Sequence, residues 1–201
     1  MTKLSLAERF FVNSSVRRVL QRQEAKRFRE LSSLPKGSTV LEVGCGKGYG
    51  AELINRYFQP QEIYAMDLDE EMIEMAKKRN PSPCIHFQVG DITHLEFPDK
   101  SFEGIFDFTI LHHVVDWEKA LDETARVLKP KGLLHIEDLS IESFQGMGTL
   151  WRLTSHPYET MYTRTEFRNY LTQELGFNIQ QQGSCHPKWL FNDFLLIAES
   201  S

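Results

Sequence analysis

Apolar positions along this chain fall into two alternating rhythms. Short runs such as Val40-Leu41-Glu42-Val43, Ile63-Tyr64-Ala65-Met66, Ile105-Phe106-Asp107-Phe108 and Leu133-Leu134-His135-Ile136 have the length of buried strands. Between them lie stretches whose apolar residues recur every three or four positions, the period of a helix with one buried face. Before the first strand, residues 5–34 read as helix in two pieces, with Asn13-Ser14-Ser15 as the N-cap of the second. Val16, Val19, Leu20, Leu31 and Leu34 supply its helical spacing. Pro35-Lys36-Gly37 ends this arm.

From there the pattern predicts strand about 38–43, helix 48–57, strand 62–66, helix 70–79, strand 84–89, strand 104–108 and helix 117–128. Pro130-Lys131-Gly132 breaks that helix, and a strand follows at 133–137. Residues 139–163 are less regular. A helix over 164–175 stops at Gly176, and two last strands lie near 177–183 and 190–198. Strands alternating with helices over short connections imply an α/β fold, a mostly parallel sheet covered on both faces. The expectation is a single domain over 1–201: an arm over 1–36, a ligand-binding half over 37–138, and a cap with closing strands over 139–201.

In such sheets ligands bind beyond the carboxyl ends of the strands. That rule gathers Glu42 to Gly48, Asp67, Asp91 and Asp107 into one candidate site. Gly44, Gly46 and Gly48 occupy every second position after the first strand, so the backbone there turns sharply and lies bare against a ligand. Cys45 sits inside this loop, where alkylation is conceivable by proximity. Asp67 ends the second strand and suits a ribose diol. Its alternative, a helix N-cap, is better filled by Asp69 or Glu70. Asp91 is either a reader of adenine's amino group or an ordinary turn aspartate. Asp107 is a candidate for a ligand's amino group or for substrate, or else a solvated strand-end carboxylate.

Taken in order, these blocks resemble the class I S-adenosylmethionine-dependent methyltransferases over residues 38 to about 138. Leu41-Glu42-Val43-Gly44-Cys45-Gly46-Lys47-Gly48 is similar to the family's acid-x-Gly-x-Gly-x-Gly motif. Asp67-Leu68-Asp69-Glu70-Glu71-Met72 resembles the second, and Gly90-Asp91-Ile92 the adenine-reading one. Leu111-His112-His113-Val114 and Arg126-Val127-Leu128-Lys129-Pro130-Lys131-Gly132 look like later blocks of the subfamily acting on small molecules, quinones and lipids. Lys131 stands where a second glycine is usual, and Glu103 where an aspartate is usual. The resemblance implies a Rossmann-like sheet of seven strands in the order 3-2-1-4-5-7-6, strand 7 antiparallel. It implies S-adenosylmethionine as cofactor and a small-molecule or lipid-like acceptor. Its cofactor contacts would be Glu42, Gly44, Cys45, Gly46, Gly48, Asp67, Leu68, Met72, Asp91, Ile92 and Asp107.

His112 and His113 follow the fourth strand on the active edge, where a catalytic base is one reading. The other has one histidine packed and its neighbour in solvent. No cysteine or carboxylate completes a metal set around them at ligand spacing, so no metal is expected. Trp151, His156 and Tyr158 fall in an aromatic stretch over 144–164 that suits a roof over the acceptor.

Charge refines the arm. Residues 1–36 hold nine Lys/Arg against three acids, a net +6, and the chain as a whole is −5, so the remainder carries −11. An acidic body speaks against a nucleic-acid partner. The arm either packs on that body, the favoured reading, or meets an anionic acceptor or a membrane surface. Three widely spaced cysteines form no disulfide framework, so a cytoplasmic setting is expected. Competing functions are a non-catalytic S-adenosylmethionine-binding protein, a protein or RNA methyltransferase, and a nicotinamide-dependent oxidoreductase.

Overall fold

The computed structural model describes residues 15–80, 82–145, 158–187 and 192–201. In chain order the elements are α1 (Ser15–Leu31), β1 (Thr39–Val43), α2 (Tyr49–Phe58), β2 (Glu62–Asp67), α3 (Glu70–Arg79), β3 (Ile85–Val89) and β4 (Phe102–Phe108). A 3₁₀ turn over Leu111–His113 leads to α4 (Trp117–Val127), β5 (Leu128–Asp138) and a short α5 (Ile141–Gln145). α6 (Arg164–Asn169) runs on into a π-helical turn, Tyr170–Glu174, and β6 (Asn178–Gly183) and β7 (Phe194–Glu199) close the sheet.

The seven strands are ordered β3-β2-β1-β4-β5-β7-β6. Strands β1 to β5 pair in parallel, and β7 runs antiparallel to both β5 and β6. This is the order the resemblance implied. Successive side chains of a strand point to opposite faces, so each central strand feeds two cores. One core holds Ala25 and Phe28 of α1 with the inner faces of α2 and α3. The other holds Ala120, Leu121 and Val127 of α4 with Phe167 and Leu171.

Two local departures have physical causes. Val16 and Val19 are 60% and 58% exposed, so they do not form the buried stripe expected of them. The buried stripe of α1 is Arg17, Leu20, Glu24, Ala25 and Phe28, and the sheet beneath accepts a charged pair because it offers polar partners. Phe28 meets Phe106, Phe108 and the ring of His135 at 6.2, 5.5 and 5.5 Å. Ser15 is already helical; Asn13 and Ser14 of the expected cap lie outside the described residues. The second departure is β5, which begins at Leu128 rather than after Gly132. Phe102 pairs with Leu128 and Gly104 with Leu133, so the intervening Lys129–Gly132 bulge out while strand pairing continues. Lys131 takes a left-handed backbone there, φ 63°, which explains why glycine suits that position.

Candidate functional site

The carboxyl ends of β1, β2 and β4 bring together the predicted residues. Gly44, Gly46 and Gly48 all have left-handed backbone, φ 66°, 50° and 76°. A Cβ at Gly44 would lie 2.1 Å from Ile110 Cγ1, whereas one at Gly46 would meet nothing within 4 Å among the described residues. Gly44 therefore packs against the turn after β4, and Gly46 opens outward. Asp67 braces the loop: its Oδ2 accepts the Gly46 N–H at 2.8 Å and its Oδ1 the Asp69 N–H at 2.9 Å. Asp69, as expected, is the residue that caps α3, accepting from the Glu71 N–H. Burial raises the Asp67 carboxyl above its usual range, partly offset by those two N–H donors.

Glu42 and Asp107 end adjacent strands but on opposite faces, because Val43, not Glu42, is the partner of Asp107. Both are 1% exposed. Glu42 Oε2 and Asp107 Oδ2 are buried with no hydrogen-bond partner among the described residues. Burial, with Asp67 nearby, pushes the Glu42 carboxyl up to about 8. Burial, with Asp138 nearby, raises that of Asp107 well above its usual range. Asp107 is thus not the solvated carboxylate that was one of its two readings. Its other oxygen accepts the Ile110 N–H at 2.9 Å. The Cys45 thiol is buried and held well above its ordinary range by burial, Glu42 and Asp67, which opposes the thiolate that alkylation requires.

Asp91 does make a turn: Oδ1 accepts both the N–H and the hydroxyl of Thr93, each at 2.9 Å. Burial raises its carboxyl, but these bonds together with nearby positive charge, that of Lys119 included, leave it below the usual range. Leu68, at the end of β2, is 37% exposed, Met72 lies on the first turn of α3, and Ile92 is buried.

Both histidines are buried, so neither faces solvent as one had been expected to. Their rings lie 4.0 Å apart. His112 donates through Nδ1 to Asp138 Oδ1, and its backbone N–H reaches Asp138 Oδ2 at 3.0 Å. The hydroxyl of Tyr162 donates to the same Oδ2 at 2.7 Å. Asp138 therefore fixes the tautomer and the plane of His112. Tyr158 stands edge-on to Phe144 at 5.5 Å, and the Phe144 ring is 6.4 Å from that of His112. Trp151 and His156 lie outside the described residues.

On the opposite sheet face, Arg17 bonds both oxygens of Glu24, at 2.7 and 2.9 Å. Ligand atoms of Glu24, Glu137 and His186 lie within 4.8 Å of one another. The guanidinium of Arg17 already gives this cluster a cation.

Residues 41–136 match the family described as "Methyltransferase domain". Over that stretch, just under half of its length, the chain is similar to a methyltransferase domain. A fatty-acid O-methyltransferase of Mycolicibacterium smegmatis is 37% identical to it over 97 residues, 48% of this chain and 35% of that protein. A phthiotriol/phenolphthiotriol dimycocerosates methyltransferase of Mycobacterium tuberculosis is 36% identical over 103 residues, 51% of this chain and 38% of that one. The matched part of the chain thus spans little more than a third of the length of these relatives. A solved S-adenosylmethionine-dependent methyltransferase from Aquifex aeolicus is 22% identical and shares the fold, with a TM-score of 0.76 over 99% of this chain and 100% of that chain.

Asp138, Arg17 and Glu24 stand around this site without having been singled out from sequence, and Tyr162 counted there only as one of the aromatic residues over 144–164. Asp138 had a signal, since Glu137-Asp138 ends β5 at the same sheet edge as Asp67 and Asp107. Arg17 and Glu24 arrive from a remote segment, and no local pattern marks them.

Proposed function

We propose that the protein transfers the methyl group of S-adenosylmethionine to an oxygen atom of a small or lipid-like acceptor. The observation that carries the reading is the pair of buried carboxyl oxygens, Glu42 Oε2 and Asp107 Oδ2, beside a loop of left-handed glycines that opens at Gly46. Buried polar atoms require partners. Because these two face opposite sides of the sheet, an amino-acid head group supplies an N–H donor to one of them, and a ribose supplies hydroxyls to Asp67. The residues present therefore fit this cofactor. Leu68, Met72 and Ile92 offer apolar surface for a base, and Asp91 adds an acceptor at its rim.

When bound, S-adenosylmethionine supplies a methyl group already activated by its sulfonium. The work left to the chain is alignment and proton removal. Positioning contributes up to roughly 7–11 kcal/mol in favourable cases. A carboxylate acceptor is already ionised at neutral pH, whereas a hydroxyl must also lose a proton, and His112, oriented by Asp138, is the residue placed to take it. A positioned base of this kind contributes about 10²–10⁴-fold. The O-methyltransferase named among the relatives supports an oxygen acceptor, and both relatives support an apolar one.

Calorimetry with S-adenosylmethionine and its demethylated product tests the reading. Both bind, and Asp67→Ala weakens them about tenfold to a hundredfold, the loss of a hydrogen bond to a charged group worth about 1.5–3 kcal/mol. Binding of a nicotinamide dinucleotide but of neither sulfur compound would overturn the assignment. With phenols as trial acceptors, His112→Ala abolishes most transfer while cofactor affinity holds; with fatty acids, already ionised at neutral pH, the loss is smaller.

A further inference from the structure

We infer that Arg17 is a positioning residue of the transfer reaction, acting through Thr109; the inference rests on the cofactor reading above. Thr109, immediately after β4, has φ 66°. A β-branched residue in the left-handed region is an outlier that persists only where its surroundings over-determine it. Three contacts do so. The Thr109 N–H donates to the Glu137 carbonyl at 2.7 Å, and its hydroxyl donates to Glu137 Oε2 at 2.6 Å. That hydroxyl also accepts from Arg17 Nη2 at 3.1 Å, and the same nitrogen reaches the Phe108 carbonyl at 3.3 Å. Arg17 is itself locked by its two bonds to Glu24, seven residues further along α1.

What hangs on this turn is the site. Asp107 precedes it and bonds the Ile110 N–H across it. Ile110 is the side chain against which Gly44 packs, so the turn and the glycine loop share a wall. The 3₁₀ turn carrying His112 follows directly. Guanidinium geometry suits the task, because one planar fork reaches a carboxylate, a carbonyl and a hydroxyl at once. The bland alternative is that Arg17 only neutralises Glu24 inside the α1 contact. On that view any cation at position 17 serves.

The test reads affinity for S-adenosylhomocysteine at 25 °C together with the melting temperature. Arg17→Lys keeps the charge beside Glu24 but loses the fork. Thr109→Val keeps the shape and the backbone demand but loses the hydroxyl. Both are expected to fold and to bind the probe at least tenfold more weakly than the unaltered protein. Asparagine tolerates left-handed backbone, so Thr109→Asn added to Arg17→Lys should recover most of that loss. Unchanged affinity in Arg17→Lys, with only the melting temperature lowered, would overturn the inference. So would failure of Thr109→Asn to restore binding. Should Arg17→Lys not fold, Thr109→Val alone decides, because unchanged affinity in that variant also overturns it. The unaltered protein is measured first, so absence of any binding there counts against the cofactor reading rather than against the role of Arg17.

Discussion

At the scale of single residues, buried carboxyl groups set the behaviour of this protein. Glu42 is held at about 8 because burial, and then Asp67, disfavour its charge. Unfolded, a glutamate titrates near 4.3. Between those values the folded chain keeps a proton that the unfolded chain releases, so the contribution of Glu42 to stability falls as pH rises from about 5 to 8. At about 1.4 kcal/mol for each pKa unit, the fall is on the order of 4 kcal/mol across that window. Glu42→Gln carries no such proton. Its ligand-free melting temperature should therefore decline less between pH 5 and 8 than that of the unaltered protein. Parallel melting curves for the two would show that Glu42 does not titrate in that window. The motif marked Glu42 and Asp107 as site residues, since both lie next to strand ends. Their seclusion was not legible, because whether a strand-end carboxylate meets water depends on what segment covers it. Here His112, Tyr162 and Asp138 close one face, and α1 closes the other.

At the scale of elements, period and punctuation located most strands and helices closely. The second helix of the parallel half, Glu70–Arg79, falls where its pattern placed it, with Asp69 as cap and basic residues in its last turn. β5 differs because pairing with β4 outweighs the local breaker signal of Pro130-Lys131-Gly132. The bulge forces Lys131 into left-handed backbone, a conformation that costs a side-chain-bearing residue roughly 1–2 kcal/mol. Glycine escapes that penalty but gives up some chain entropy on folding. Lys131→Gly is therefore expected to stabilise the fold by about 0.5–1 kcal/mol, a rise of roughly 1–4 °C in melting temperature for a chain of this size. A thermal melt checks it, and a lower midpoint would contradict the argument. α1 shows the opposite case. Its helical period was legible, but its buried face was not, because Arg17 and Glu24 occupy inward positions that a rule based on apolarity assigns to solvent.

At the scale of the whole molecule, α1 belongs to the core. Phe28 is fully buried among Phe106, Phe108 and His135, and the His135 ring accepts the Ser32 hydroxyl at 2.7 Å just beyond the helix. Phe28→Ala should cost about 3–5 kcal/mol in denaturant unfolding, the usual range for a large aromatic removed from a core. A loss under 1 kcal/mol would mean that the helix is only lightly docked. The basic excess of the arm is thus partly spent inward, with Arg17 buried, Arg18 over the Tyr49 ring and Arg29 over that of Phe58. What the sequence by itself determined is local and ordered: strand–helix alternation, the glycine loop, and the aspartates at strand ends. Period, turn chemistry and motif spacing act within a few residues of one another, and the sheet order came from resemblance to a known family. What only the tertiary structure decided is which distant side chains meet. Asp138 orients His112, Tyr162 reaches the same carboxylate, and Arg17 clamps Thr109 across 92 positions of chain. Such contacts depend on how layers pack and which face each side chain takes, and neither is written in the spacing of neighbouring residues.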